Sequence, residues 1–151
     1  MPKQTPQKLI IHTDGGSRGN PGPSAIGVVF KNENGEIIKK YGEFLGTKTN
    51  NEAEYEAVIF ALKKAKALFG KDAAHKMQII VKMDSELVVK QLNGEYKIEQ
   101  ERLFPYFIAI WNLKMDFGKI EFRHIPREQN KEADALVNET LDLQGNKQAL
   151  F

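Results

Sequence analysis

The chain has 151 residues, of which 41% are hydrophobic and 28% charged, and this composition excludes a disordered or fibrous protein. The formal net charge of +2 neither favours nor excludes a nucleic-acid partner, and the lack of cysteine excludes disulfides and thiolate metal ligands. No apolar run reaches the roughly 18 residues of a membrane span and residues 1–8 lack a signal-peptide pattern, so we expect a cytoplasmic protein without a membrane partner.

The first part of the chain predicts three antiparallel strands. Residues 8–14 alternate in the way of a half-buried strand and lead into a glycine-rich loop, which places Asp14 at a strand end. Residues 24–31 and 36–45 are rich in valine, isoleucine and aromatic residues. They flank the turn sequence Asn32-Glu33-Asn34-Gly35 and therefore predict a hairpin.

The rest of the chain predicts helices and strands. Residues 51–69 carry apolar residues at three- and four-residue steps, with Asn50 or Asn51 as the cap and Gly70 as the end. The following segments are predicted as strand, helix, helix, strand and helix, over residues 77–83, 85–92, 100–117, 119–125 and 128–143. No linker or repeat interrupts this order. We predict one mixed-sheet α/β domain over residues 1–151, with flexible ends at 1–7 and 144–151.

Four carboxylates lie where a purely structural role explains little, namely Asp14, Glu54, Asp84 and Asp134. Asp14 and Asp84 each follow an apolar strand, at the edge where open α/β sheets bind ligands if the strands are parallel neighbours. Glu54 heads the apolar stripe of its helix, and Asp134 lies one turn after Asn130 near the buried side of the last helix. A turn, a cap or a helix dipole explains each acid separately, but the four together predict one site.

Four carboxylates in one site would repel one another unless a cation neutralised them. Mg²⁺ prefers oxygen ligands and keeps several waters, which suits carboxylates and a substrate phosphate. A pair of such ions supports in-line phosphoryl displacement. The acids therefore predict a divalent-metal site for phosphoryl chemistry.

Four short motifs surround these acids. They read Thr13-Asp14-Gly15-Gly16-Ser17 with Gly19-Asn20-Pro21-Gly22, Thr49-Asn50-Asn51-Glu52-Ala53-Glu54, Asp84-Ser85 and Asn130-Lys131-Glu132-Ala133-Asp134. In this order they resemble the type 1 ribonuclease H family over residues 9–141. The resemblance implies a ribonuclease H-like fold, with a five-stranded mixed sheet of three antiparallel and then two parallel strands flanked by helices. It also implies an endoribonuclease that cuts the RNA strand of RNA/DNA hybrids with two Mg²⁺ ions, or Mn²⁺ as a substitute, and leaves 5′-phosphate and 3′-hydroxyl ends.

The resemblance further implies roles for single residues. Asp14 would bridge both metal ions, Asp134 would hold the ion that activates water, and Glu54 and Asp84 the ion at the leaving 3′ oxygen. The expected substrate contacts are Gly15, Gly16, Ser17, Asn20, Thr49, Asn50, Asn51 and Ser85. A groove that contacts 2′-hydroxyls distinguishes RNA from DNA, although turn and cap formation explains the asparagines equally well.

Two features depart from the better-known family pattern. Many members carry a histidine in the loop before the last helix, and here Arg127 or His124 could take that place. Arg127 is favoured because it follows the strand end seven residues before Asp134, as in a subgroup with arginine there; it binds phosphate but cannot act as a base. The basic helical insertion of some members is absent, since only residues 94–99 separate two helices. This predicts weaker and less salt-dependent hybrid binding.

Other interpretations stay open. The substrate could instead be double-stranded RNA or junction DNA, or the chain could be a non-catalytic module that binds hybrids. A monomer is the default expectation. Trp111 has the helical spacing of a core residue, together with Leu103, Phe107, Ile110 and Met115. His12 shares a strand face with Asp14, which allows a modulating role at the site, but a packed structural histidine is the favoured interpretation.

Overall fold

A computed structural model describes residues 6–149, and its centre is a five-stranded mixed sheet. The strands are β1 (Lys8–Ser17), β2 (Gly22–Lys31), β3 (Ile37–Lys48), β4 (Gln78–Met83) and β5 (Lys119–His124). Their spatial order is β3-β2-β1-β4-β5, with β1 to β3 antiparallel and with β4 and β5 parallel to β1. The predicted sheet of three antiparallel and two parallel strands is confirmed.

The described residues form five α-helices. They are α1 (Asn50–Phe69), α2 (Lys71–Lys76), α3 (Glu86–Leu92), α4 (Phe104–Lys114) and α5 (Lys131–Ala149). The short α2 was not predicted, and the helix predicted over 100–117 is limited to α4 behind a 3-10 turn. The last helix begins later than predicted and runs beyond residue 143 to Ala149. Residues 1–5 and 150–151, where flexible ends were predicted, lie outside the described residues. None of the described helices is long and apolar enough to cross a membrane.

The first strand is longer than predicted, and Asp14 does not lie at its end. Residues 15–17 continue the antiparallel pairing with β2, up to Ser17 opposite Ser24. The parallel pairing with β4 stops at His12. Asp14 therefore lies just beyond the parallel part of β1, where the sheet opens between β1 and β4.

Thr49 caps α1, in place of the predicted Asn50 or Asn51. Its hydroxyl accepts the backbone N–H of Glu52 at 3.2 Å, and the Glu52 carboxylate accepts the N–H of Thr49 at 3.0 Å. This capping box satisfies two N–H groups that the helix itself leaves unpaired. The side chains of Asn50 and Asn51 are consequently not needed for capping.

The helices cover both faces of the sheet. The main core lies between the sheet and α1, with α3 and α4 contributing to it. Helix α5 packs across β1, β2 and β3 on the other face, over a smaller cluster formed by Ala25, Val137 and Leu141.

Two glycines allow the helices to approach the sheet at the site of the acids. A Cβ on Gly15 would lie 2.3 Å from the carbonyl oxygen of Ala53 in α1. A Cβ on Gly27, which pairs with Asp14, would lie 2.1 Å from the carbonyl oxygen of Ala133 in α5. Only glycine permits these contacts, which bring the first turns of α1 and α5 against β1 and β2.

The prediction that Trp111 and the apolar residues at helical spacing around it belong to the core is partly wrong. Leu103 and Ile110 are buried and Phe107 is half-buried, but Trp111 is 56% exposed and Met115 is 69% exposed. Helix α4 packs against α1 through one face only, and helical spacing does not tell which apolar residues belong to that face.

Candidate active site

The structure brings the four predicted carboxylates together around Asp14. Asp14 lies on β1 opposite Gly27 and is half-buried. Burial raises the pKa of Asp14 to about 8, and the neighbouring carboxylates Asp84, Asp134 and Glu54 add to this rise. Burial and the neighbouring negative charges thus both disfavour the ionised form of Asp14.

Glu54 lies in the first turns of α1, with its side chain turned toward β1. Its Oε2 atom is buried and has no hydrogen-bond partner within the part of the chain that the structure describes. Burial raises the pKa of Glu54 to about 7, the nearby Ser85 hydroxyl opposes this rise, and Asp84 adds to it. A buried polar atom without a partner is costly and points to a missing ligand.

Asp84 and Asp134 complete the cluster from two other elements. Asp84 follows β4 directly, and burial raises its pKa while Arg127 and Asn130 oppose the rise. Asp134 lies in the first turn of α5, where its N–H donates to the carbonyl oxygen of Asn130 at 3.1 Å. The amide of Asn138, one turn later, lies 3.4 Å from an Asp134 carboxylate oxygen.

A cleft of about 360 Å³ opens over the acids. Its lining includes Asp14, Glu54, Asp84, Asp134, Gly15, Gly16, Ser17, Asn50, Arg18 and Arg127. Arg127 thus lies in the cleft, whereas His124 is exposed at the end of β5 and is not part of this lining. Of the two alternatives for the loop position, the geometry favours Arg127.

The glycine-rich segment is attached to the start of α1 by two side-chain amides. The N–H of Ser17 donates to Oδ1 of Asn50 at 2.9 Å, and the N–H of Asn50 donates to Oδ1 of Asn20 at 3.0 Å. The structural role that was an alternative for these asparagines is therefore present. Both amide NH₂ groups remain without a protein partner among residues 6–145, so they can still donate to a ligand.

Three other predicted substrate contacts, Thr49, Asn51 and Ser85, are not among the residues that line this cleft. Asn51 lines a separate hollow of about 480 Å³ together with α3 and the loop over residues 95–100. The Thr49 side chain is used in the cap of α1. Ser85 caps α3 by accepting the N–H of Val88 at 3.3 Å, and its hydroxyl lies beside Glu54.

The acids fit a divalent cation, although no closed cage is present. Within the described residues, no three acidic or histidine side chains already surround one point. Mg²⁺ sites commonly use one or two carboxylates and complete the octahedron with waters and substrate phosphates. A cation at this place would lower the raised pKa values of Asp14 and Glu54 and would give the unpaired Oε2 of Glu54 a partner.

Three polar residues around the acids were not among the predicted site residues. His12 and Asn130 are 8% and 1% exposed, and Nδ1 of His12 lies 3.2 Å from Oδ1 of Asn130. Arg18 forms an ion pair of 2.7 Å with Asp142 and so connects the glycine-rich segment to α5. The alternation of β1, which puts His12 on the face of Asp14, was the available signal for His12.

The chain is similar in sequence to known proteins over most of its length. A family model described as reverse transcriptase-like matches residues 12–140, a range that contains all four acids. Ribonuclease HI of Halobacterium salinarum is 43% identical over 135 residues, which cover 89% of this chain and 65% of that protein. A bifunctional protein of Mycobacterium tuberculosis is 37% identical over 136 residues. The chain spans only 36% of the length of that protein, so the activity of the whole longer relative is not assigned to this chain.

Comparison with solved structures agrees with the sequence matches. LC11-RNase H1 in complex with an RNA/DNA hybrid matches with a TM-score of 0.86 and 45% identity. The match covers 90% of this chain and 98% of that protein, which was isolated from compost by a metagenomic approach. The likeness therefore extends over most of the chain.

Proposed function

Since this chain belongs to the type 1 ribonuclease H family, we propose that it is a metal-dependent endoribonuclease that cuts the RNA strand of RNA/DNA hybrids. The observation that carries the proposal is the set of four carboxylates in one cleft, three of them with raised pKa values. The hybrid bound by the similar LC11-RNase H1 supports the same substrate class here.

Asp14, Glu54, Asp84 and Asp134 are the proposed ligands of two Mg²⁺ ions, for which Mn²⁺ can substitute. Bound ions of this kind supply Lewis-acid stabilisation of the phosphate and of a water nucleophile. The chain itself supplies buried carboxyl groups at this place. Burial raises the pKa values of Asp14 and Glu54, because it disfavours their ionised forms. A divalent cation held by these residues would favour the ionised forms of Asp14 and Glu54, so its binding would release protons.

The family resemblance, rather than the geometry, supplies the proposed direction of the reaction. Asp134 would hold the ion that activates the attacking water, and Glu54 and Asp84 would hold the ion at the leaving 3′ oxygen. Cleavage in this direction leaves a 5′-phosphate and a 3′-hydroxyl. Arg127 binds a phosphate of the RNA strand, and because arginine stays protonated at neutral pH it does not accept the proton of the water.

The glycine-rich segment and the start of α1 form the proposed substrate surface. Gly15, Gly16 and Ser17 line the cleft, and their backbone groups are the proposed contacts to the nucleic-acid backbone. The amide NH₂ groups of Asn20 and Asn50 then donate to the substrate, since their oxygens are used by backbone N–H groups. Donors of this kind can recognise 2′-hydroxyls and thereby select the RNA strand.

The test is cleavage of an end-labelled RNA/DNA hybrid with Mg²⁺, beside an RNA duplex, a DNA junction and single strands. We expect hybrid cleavage by the wild type and by Asp72→Asn, an exposed acid on α2, and none by Asp14→Asn. Cleavage of the RNA duplex or the junction alone would favour the alternative nuclease. Hybrid binding without cleavage in either Mg²⁺ or Mn²⁺ would favour the non-catalytic module.

The proposed oligomeric state is a monomer, which is the default expectation for this chain. Sedimentation equilibrium with and without hybrid tests this state. A dimer that forms only with hybrid would show that binding of the substrate, and not formation of the cleft, requires a second copy of the chain.

A further inference from the structure

A buried amide lies beneath the acids and contacts the segments that carry three of them. The Nδ2 of Asn130 donates to the carbonyl oxygen of Thr13, the residue before Asp14, at 2.9 Å. The same side chain lies beside the carboxylate of Asp84 and favours its ionised form. The backbone carbonyl of Asn130 accepts the N–H of Asp134 at 3.1 Å. One residue therefore connects β1, the end of β4 and the first turn of α5.

These contacts require one orientation of the Asn130 amide. Its NH₂ group faces two acceptors, the Thr13 carbonyl and the Asp84 carboxylate. In the flipped orientation the amide oxygen would face both acceptors, and each contact would become a repulsion between oxygen atoms. Because Asn130 is 1% exposed, water cannot replace the lost hydrogen bonds.

The only side chain that contacts Oδ1 of Asn130 among the described residues is His12. Its Nδ1 lies 3.2 Å from that oxygen, so the tautomer with hydrogen on Nδ1 donates a hydrogen bond to it. An amide NH₂ in the flipped orientation would face the same N–H. His12 thus favours the orientation that Thr13 and Asp84 require.

We propose that His12 and Asn130 form a positioning pair that holds Asp14, Asp84 and Asp134 in the arrangement that binds the divalent metal. His12 acts only through the amide orientation of Asn130. The inference rests on the proposed function, because the pair would position the metal ligands of the same site. Groups behind metal ligands act in this way by limiting the number of arrangements that the ligands can adopt.

The first test is Mn²⁺ binding without nucleic acid, measured by electron paramagnetic resonance and by calorimetry. His12→Phe keeps a ring but removes the donor, and we expect about tenfold weaker Mn²⁺ binding. His12→Asn keeps an N–H at the position of Nδ1, and binding should return to within about twofold of the wild type by the same reasoning. His75→Phe changes an exposed histidine on α2 and should bind as the wild type does.

A double-mutant cycle then tests whether His12 acts through Asn130. Asn130→Ala should weaken Mn²⁺ binding at least as much as His12→Phe, and adding His12→Phe to it should have no further effect. If His12→Phe does not fold, as shown by the lack of a cooperative thermal transition, Mn²⁺ binding by Asn130→Ala still tests the proposal. Additive losses, wild-type binding by Asn130→Ala, or His12→Asn binding no better than His12→Phe would each overturn the proposal.

The proposed function fails separately from the positioning pair. If the wild type binds Mn²⁺ but does not cut the hybrid, the nuclease assignment is wrong while the binding data still decide the pair. If the wild type cuts the hybrid and the variants bind Mn²⁺ normally, the pair is wrong while the nuclease assignment stands. As a third readout, hybrid KM should stay near the wild-type value in His12→Phe while kcat falls at limiting metal.

Discussion

Replacing Asp14 by asparagine should stabilise the metal-free protein at pH 8 and change its stability little at pH 4. In the folded protein, burial and three neighbouring carboxylates raise the pKa of Asp14 from 3.8 to about 8. In the unfolded chain the group has its ordinary pKa. A raised pKa means that the folded state binds the proton more tightly, so the stability it provides is complete at low pH and is lost as the pH rises toward 8.

The size of this effect follows from the same pKa. The difference between 3.8 and about 8 corresponds to roughly 5 to 6 kcal/mol if Asp14 ionised alone. Glu54, whose pKa is raised to about 7, is partly protonated in the same pH range, and this reduces its repulsion of the Asp14 carboxylate. We therefore expect a net gain of about 2 kcal/mol at pH 8 in Asp14→Asn, which raises Tm by roughly 4 to 8 °C for a chain of this size.

The assay is thermal unfolding in EDTA at pH 4, 6 and 8, for the wild type, Asp14→Asn and the exposed control Asp72→Asn. Addition of Mg²⁺ at pH 8 should raise the Tm of the wild type more than that of Asp14→Asn, because the cation relieves the same repulsion. A wild type whose Tm in EDTA does not fall between pH 6 and 8, or an Asp14→Asn variant no more stable at pH 8, would refute the argument.

Asp134→Asn should abolish hybrid cleavage while hybrid affinity, measured by filter binding, stays within about threefold, because phosphate contacts supply most of the affinity; a large loss of affinity would contradict this. Gly27→Ala should destabilise the protein by roughly 1 to 3 kcal/mol in urea unfolding, because the new Cβ meets the Ala133 carbonyl, whereas Gly145→Ala at an open position should not. Arg127→Ala should raise KM for the hybrid about tenfold by loss of a phosphate contact, and His124→Ala should not; equal effects of both would remove the preference for Arg127. A plot of log affinity against log salt should have a shallow slope, since the loop over residues 94–99 carries no basic helix; a steep slope would show many neutralised phosphates.

The sheet and the main helices could be predicted from the sequence because their signals are local. The turn sequence between β2 and β3 and the apolar spacing of α1 each lie within one segment of the chain. The helix α2 was missed because it has only six residues, which is too short for a periodic pattern. The end of β1 was misplaced because Gly15 and Gly16 resemble a turn, while the pairing with β2 that keeps them in the strand is a long-range contact.

The sequence alone was enough to group the four carboxylates, because Asp14 and Asp84 each follow an apolar segment with strand alternation, and Glu54 and Asp134 lie on the inward faces of helices. It could not determine what supports them. Asn130 and His12 are 118 residues apart in the chain, and only the packing of α5 against β1 makes them neighbours. The same holds for Trp111, whose exposure depends on which face of α4 contacts α1. Side-chain periodicity is a property of one element, whereas burial and hydrogen-bond partners depend on which elements pack together, and that is decided only in the tertiary structure.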